Sequence, residues 1–352
     1  MCFRFSNKRD GITKIEVAVL IACVILLASV LFPFTFQTRD GASRRSVCNN
    51  QMRQLALATA NYESIQNRYP GAIEVFEVSR GASNESVKIL LPWMASLLPY
   101  MERGDIYDRF TTTIANKTET HLDTNYHRGL GGENGGISIY LIVLRCPSNR
   151  PTTIADGQSS YICNGGGNVS NEITDGIFLD RAANNKPMLK FKDIVDGLTN
   201  TMLISESLLA LEWSDVSSVR VYNTYAPIPE GEDGRFARIP NSFIWLYASE
   251  TPGFENPQVE AHSRPLKLVV PVPANARING NNSKNVSIGK DETLLRPSSN
   301  HRGGVNVAYA DGHTGFLIET VAYQVYQQLM TPNHKKSYSP HAEYILQDQD
   351  LE

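Results

Sequence analysis

The sequence predicts an α+β fold, in which a long N-terminal helix packs on a mostly antiparallel β-sheet domain with a large loop-rich insertion. Residues 17–36 carry no charged side chain, and as a helix they cover ~30 Å, the thickness of the hydrocarbon core of a membrane. The first half of the helix is therefore predicted to be transmembrane. Farther along the chain, short apolar runs are separated by Asp-Gly pairs, a pattern typical of strands joined by hairpins.

The charge composition of the chain indicates which kinds of partner to expect. The chain of 352 residues has 33 basic and 36 acidic side chains, a net charge of −3, and no long run of one sign. A nucleic-acid partner is therefore not expected, because such proteins present a basic face. The basic leader, residues 1–11, is expected to stay in the cytoplasm while the rest of the chain is exported.

The predicted organisation follows the chain from this leader to a polar tail. The continuation of the helix has apolar residues at steps of three and four. A short break is predicted near its start, at residues 38–43, where Asp40-Gly41 favours a bend, and Pro70-Gly71 predicts its end. The segments are a leader (1–11), a transmembrane and assembly helix (12–36), an amphipathic continuation (37–70), an exported α+β domain (71–330, with the insertion at about 215–297) and a polar C-terminal tail (331–352).

Glu16 lies just inside the leading edge of the apolar run, where a charge is costly by roughly 2.5–3.5 kcal/mol on insertion scales. A carboxylate in such a place needs a cationic partner. Cleavage between Gly11 and Ile12 would create an α-amino group ~6 Å along the helix from Glu16. The same amine on a neighbouring copy of the chain would offer Glu16 a partner in an assembly.

Residues 11–16, "GITKIE", resemble the cleavage and methylation site of type IV prepilins and type II secretion pseudopilins. The resemblance implies that a prepilin peptidase cuts after Gly11 and methylates Ile12, and that Glu16 neutralises the amine of an adjacent subunit. It also implies a pilin-like fold. The sequence departs from the family at Lys14, where leucine is usual.

Four downstream stretches, taken in order behind this segment, resemble the bacterial prepilin-like family called domain of unknown function 1559. The closing motif is the most specific of them, and no biochemical activity is established for the family. The stretches are "WMASLLPYMERGDIYDRF", "LRCPSNRP", "DIVDGLTNTMLISES" and "NHRGGVNVAYADGHTGFLIE".

The closing motif also predicts local structure. Val305, Val307 and Tyr309 alternate with Asn306 and Ala308, which predicts a half-buried strand. The Asp-Gly pair that follows predicts a hairpin turn, with residues 315–318 as the returning strand. A second turn is predicted in "EITDGIFLD", and a short helix ending near residue 197 is expected before a strand that starts at residue 201.

Three cysteines, Cys48, Cys146 and Cys163, lie in the part of the chain expected to be exported to an oxidising space. They allow one disulfide with one spare thiol, or three buried free thiols, and the sequence does not choose between these arrangements. The family resemblance implies a Cys48–Cys146 pair.

No metal-binding motif is found in the sequence. His301 and His313 flank the predicted hairpin and are interpreted as exposed polar residues of that hairpin rather than as metal ligands. Asp311 is a calcium candidate, because some pseudopilins hold calcium near a C-terminal Asp-Gly turn.

Catalytic signatures are missing as well: there is no nucleophile elbow, phosphate loop or dinucleotide fingerprint. The expected function is that of a pseudopilin-like structural protein, a minor subunit in the bacterial cytoplasmic membrane, with no cofactor and no enzymatic activity. Its expected partners are the prepilin peptidase, other pilin or pseudopilin subunits, and membrane lipid. The alternative is a membrane-tethered binding module that uses the insertion as its recognition surface, and an exported hydrolase is the third hypothesis.

Overall fold

The computed structural model describes residues 14–80, 85–117, 139–149, 157–167, 173–182, 187–214, 241–245, 277–280, 296–337, 344–347 and 350, with the backbone alone for some of them, including residues 28–40. The chain divides into two compact units, residues 1–44 and residues 45–352. Each unit is described separately below.

The first unit holds the beginning of helix α1, which runs over Lys14–Gln66 and has 53 residues. The helical pattern continues through Asp40 and Gly41, so the break predicted there was wrong. One glycine costs a helix only about 1 kcal/mol relative to alanine, too little to end it. Side chains of residues 14–27 are all exposed. Within the part of the chain that the structure describes, no helix is both long and apolar enough to cross a membrane.

In the second unit, α1 presents one apolar face to the core. Cys48, Met52, Leu55 and Tyr62 are almost fully buried, and they follow steps of three and four residues with one gap of a full heptad. The helix ends after Gln66 because the next residue has the left-handed φ of 54°, a common helix stop for asparagine. The end therefore comes before the predicted stop at Pro70-Gly71.

A two-stranded antiparallel sheet follows α1. Strand β1, Ile73–Arg80, pairs along its whole length with β2, Glu85–Pro92. The chain then forms helix α2, Trp93–Leu97, a short 3-10 turn, and helix α3, Gly104–Lys117.

The main sheet has five strands in the order β5-β3-β4-β6-β7. Every neighbouring pair is antiparallel except β3 with β5, which is parallel. The edge strand β5 lies inside the segment interpreted as an insertion, so that segment contributes directly to the sheet. The strands are β3 (Tyr161–Gly167), β4 (Met202–Glu206), β5 (Ser242–Trp245), β6 (Gly304–Tyr309) and β7 (Thr314–Ile318).

Apolar residues cover both faces of the main sheet. On one face Ala308 joins the core that includes α1. On the other face Val305 and Val307 pack in a second core with helix α4, Tyr323–Met330. Strand β6 is therefore buried along its whole length, and the prediction of a half-buried strand was wrong.

The predicted hairpin at Asp311-Gly312 is confirmed, since β6 pairs with β7 from Gly304↔Ile318 to Ala308↔Thr314. The predicted short helix before β4 is a single 3-10 turn, Phe191–Asp193. Part of the predicted polar tail packs on the core, where Tyr344 and Leu346 lie against the cluster around α4.

Candidate functional site

A buried carboxylate stands at the end of β4. Glu206 is only 2% exposed, and a charged group so deep in a protein must be paired or hydrogen-bonded. Its Oε2 accepts the backbone N–H of Asn306 at 2.9 Å. Its Oε1 lies 3.2 Å from Nε2 of His301, so the two side chains form an acid–base pair.

The loop before β6 positions His301. Its backbone N–H donates to Oγ of Ser299 at 3.0 Å, and the same hydroxyl donates to the carbonyl oxygen of Gly304 at 2.7 Å. At Gly304 a Cβ atom would lie 2.1 Å from the carbonyl oxygen of Leu317 on β7. The motif needs glycine here, because only then does the loop approach β7 closely enough to close this turn.

A disulfide lies against the acid–base pair. Cys48 of α1 is bonded to Cys146, with a sequence separation of 98, and this is the pair that the family resemblance implies. Both cysteines are buried. Sγ of Cys146 lies 3.2 Å from Oε1 of Glu206 and 3.8 Å from Nε2 of His301.

These four residues, Cys48, Cys146, Glu206 and His301, are called here the cysteine–glutamate–histidine cluster. One nitrogen, one oxygen and two sulfur atoms in it all lie within 4.8 Å of one another. The residues come from four separate segments, namely α1, the loop after residue 144, the end of β4 and the loop before β6. Their side chains are of the types that bind zinc and other transition metals.

Tyr161 of strand β3 contacts α1 next to the cluster. The hydroxyl of Tyr161 donates to Oε1 of Gln51 at 2.7 Å and lies 3.4 Å from the carbonyl oxygen of Cys48. Burial, with the nearby charge of Glu206, raises the pKa of Tyr161 well above its usual value, so this hydroxyl stays protonated and donates. Burial also raises the pKa of Cys163, which makes that thiol unreactive.

The predicted processing residues are not all described. Gly11 and Ile12 lie outside the described residues. Glu16 lies in the first turn of α1 and is exposed.

The two histidines of the closing motif have different partners. The side chain of His301 is only 8% exposed and lies in the cluster, so its interpretation as an exposed hairpin residue was wrong. His313 is exposed, stacks on the ring of Tyr309 at 4.3 Å, and lies 2.6 Å from a carboxylate oxygen of Asp311. Among the described residues, the cluster is the one group of three or more ligand-type side chains, and Asp311 does not belong to it.

The sequence did not predict that these four residues lie together. Glu206 could have been singled out from its local sequence, because it lies in the apolar run "MLISESLLA". A charged residue in such a run predicts a buried partner. Its partner His301 lies 95 residues away, and nothing local indicates that pairing.

Comparison with known proteins places this chain in a family. The chain belongs to the family described as "Protein of unknown function (DUF1559)", which matches residues 39–324 and so covers all four residues of the cluster. The match does not include the prepilin-like residues 11–16. No curated protein matches the chain, and no solved structure matches it.

Proposed function

We propose that the chain is a pseudopilin-like structural subunit, anchored in the bacterial cytoplasmic membrane by the apolar segment 12–36, whose side chains the structure describes from residue 14 to residue 27, with residues 45–352 forming a periplasmic or extracellular domain. The observation that carries the proposal is the apolar surface exposed at the start of α1. The exposed large apolar side chains there are Ile15, Val17, Val19, Leu20, Ile21, Val24, Ile25, Leu26 and Leu27.

Such a surface is unfavourable in water. Complete burial of one large aliphatic side chain gains about 1.5–3 kcal/mol, and these side chains occur on every side of the helix. A helix that is apolar all round belongs inside a protein or a membrane. In the proposed role, lipid and the equivalent helices of neighbouring subunits bury this apolar surface.

Processing completes the proposed role. A prepilin peptidase would cut after Gly11 and methylate Ile12, and the amine of Ile12 would then pair with Glu16 of an adjacent subunit. The role is structural rather than catalytic, and the partners are the peptidase, other pilin or pseudopilin subunits, and membrane lipid. The size of the chain favours a minor subunit, since major pilins are commonly smaller.

The first test is the N-terminal residue of the mature protein, measured by mass spectrometry on membrane fractions of the native host. The proposal expects a chain that begins at N-methylated Ile12. A chain that still begins at Met1 or one of its neighbours would contradict processing and leave the segment as a plain anchor.

The second test separates assembly from simple anchoring. We expect Glu16→Ala to reduce the amount of the protein recovered with sheared filaments or co-purified subunits at least tenfold, while its amount in the membrane stays unchanged. Glu77→Ala is the control, because Glu77 is exposed on β1 and forms a surface ion pair with Lys88 at 3.6 Å. Unchanged assembly of Glu16→Ala would favour the alternative, a membrane-tethered binding module.

One observation favours this alternative, the membrane-tethered binding module. Strand β5 of the predicted insertion is an edge strand of the main sheet, which gives a recognition surface in residues 215–297 a rigid base. In that case Glu16→Ala would leave the function of the protein intact, and deletion of residues 281–295 would abolish it.

A further inference from the structure

We propose that two-electron reduction of the Cys48–Cys146 disulfide converts the cysteine–glutamate–histidine cluster into a tetrahedral zinc site. The ligands are the two cysteine sulfurs, Nε2 of His301 and Oε1 of Glu206. The inference is independent of the proposed structural role, because it rests only on residues of the second unit.

Three of the distances between ligand atoms that form the edges of a tetrahedral zinc site are already close to the required values. Zinc bound at about 2.3 Å to sulfur and about 2.0–2.2 Å to nitrogen and oxygen separates neighbouring ligand atoms by about 3.4–3.8 Å. The Cys146–Glu206, Glu206–His301 and Cys146–His301 distances are 3.2, 3.2 and 3.8 Å. Each lies within a few tenths of an ångström of the edge that it would form.

The fourth ligand becomes available when the disulfide opens. Sγ of Cys48 is already within 4.8 Å of the other ligand atoms. Once the S–S bond is broken, the two sulfurs separate to ordinary non-bonded contact, which is about the S···S edge of the same tetrahedron. A shift of one side chain by less than about 2 Å therefore completes the site.

The surrounding hydrogen bonds orient the ligands. The backbone N–H of Asn306 holds Oε2 of Glu206, so Oε1 is directed toward the sulfurs and the imidazole. The backbone of His301 is held by Ser299. Ligands fixed in this way by neighbouring groups are typical of metal sites, where the outer partners are worth 10–100-fold in affinity.

Charge and access also fit a divalent cation. Two thiolates and one carboxylate would bring three negative charges into a buried region, and Zn²⁺ reduces this to one. The side chain of His301 is 8% exposed, whereas Cys48 is fully buried. An ion would therefore enter on the histidine side.

The chemistry balances with a dithiol as reductant. The dithiol gives two electrons and two protons, the S–S bond breaks to form two thiols, and the dithiol becomes a disulfide. Zn²⁺ then replaces the two thiol protons, which leave to solvent, and its own oxidation state does not change. The disulfide and the bound metal exclude each other, so the site takes up zinc only in the reduced state.

The test uses the full chain in detergent, reduced without oxygen by a trialkylphosphine, which is then removed. We expect one Co²⁺ per chain, with the thiolate charge-transfer and tetrahedral d–d absorption bands, and displacement of the cobalt by one Zn²⁺. The oxidised chain is expected to show neither band. A reduced, folded chain that binds no cobalt would overturn the proposal.

Variants identify the ligands. His301→Ala is expected to weaken cobalt binding at least about a hundredfold, since a lost ligand costs more than a lost outer partner. His313→Ala, in the same sequence motif, and Cys163→Ala are the controls and should keep one tetrahedral cobalt. Cobalt binding that survives in His301→Ala would assign the metal to other residues and refute the site.

A second measurement covers the case in which reduction or substitution loosens the domain. Thermal unfolding of the reduced wild-type chain is followed with and without Zn²⁺, because a ligand that binds only the folded state raises its Tm. We expect zinc to raise the Tm of the reduced chain and to leave that of the oxidised chain unchanged. Equal Tm values for the reduced chain with and without zinc would count against the site.

Discussion

Glu74 is a buried carboxylate that two arginines share. It is 2% exposed, its Oε2 accepts from Nε of Arg181 at 3.0 Å, and its other oxygen accepts from Arg68 and from the N–H of Gly71. The residue thereby joins the end of α1 to β1 and to the segment that contains residue 181. Its interactions are stronger than those of surface ion pairs, because water screens them little.

We expect Glu74→Gln to lower the free energy of unfolding by about 3 kcal/mol, since it leaves two largely buried arginine charges without their carboxylate. The measurement is urea unfolding of the oxidised protein. The matched control is Glu77→Gln on the same strand, whose side chain is 63% exposed and whose loss should cost less than about 1 kcal/mol. Equal losses in the two variants would show that burial of Glu74 is not decisive.

His334 is a second titratable residue with a structural role. Its Nδ1 lies 2.9 Å from Oδ1 of Asp196, and its Nε2 lies 2.9 Å from the carbonyl oxygen of Tyr344. Both contacts are favourable at once only when both ring nitrogens carry a proton. The hydrogen bond to Asp196 accordingly raises the pKa of His334, although burial opposes this shift.

The raised pKa sets the sign of a pH effect. The stabilisation is fully present below the ordinary histidine pKa of about 6.5, and it is lost as the pH rises through the folded-state pKa. We expect the difference in unfolding free energy between wild type and His334→Gln to shrink steadily from pH 6 to pH 9. An NMR titration should also show that Asp196→Asn lowers the pKa of His334. A difference that grows with pH would contradict this reasoning.

Among the elements, the β6–β7 hairpin shows what the sequence can predict. Its turn depends on neighbouring residues, because Asp311 and Gly312 accept the backbone angles of a tight hairpin, and Gly312 has a φ of +88°. The signal is local, so the hairpin follows directly from the motif.

The burial of both faces of β6, by contrast, could not be predicted from its local sequence. Alternating Val305 and Val307 predicted one buried face, but α4 returns to cover that face while α1 and its core lie behind Ala308. The burial of Asn306 depends on elements far away in sequence. The same limit applied to the candidate site, whose four residues come together only through the tertiary fold.

Gly304 provides a test of the close approach between β6 and β7. We expect Gly304→Ala to destabilise the protein by at least about 2 kcal/mol, because the new Cβ would meet a backbone oxygen at 2.1 Å and backbone cannot move aside as a side chain can. Gly104→Ala at the start of α3 is the control, since nothing lies within 4 Å of its Cβ position. Thermal unfolding compares the two variants, and a neutral Gly304→Ala would refute the steric argument.

At the scale of the whole molecule, the disulfide joins the N-terminal helix to the loop at residue 146. It closes a loop with a separation of 98 residues, for which the chain-entropy model gives about 4.7 kcal/mol, and measured values are commonly 2–5 kcal/mol. We expect Cys48→Ala/Cys146→Ala to lose 2–5 kcal/mol of unfolding free energy in guanidinium titrations. Cys163→Ala, which removes a buried thiol from β3, is the control and should lose less.

The same disulfide determines how the protein bears tension. A force that pulls along α1 passes at Cys48 directly into Cys146 through a covalent bond, so the chain between them cannot be stretched. That loop would otherwise add about 340 Å of contour length, given its 98-residue separation. In single-molecule pulling, the oxidised protein should therefore extend about 340 Å less than the reduced protein. In the proposed role of a filament subunit, a protein under load would therefore not extend between these two cysteines until their bond is reduced.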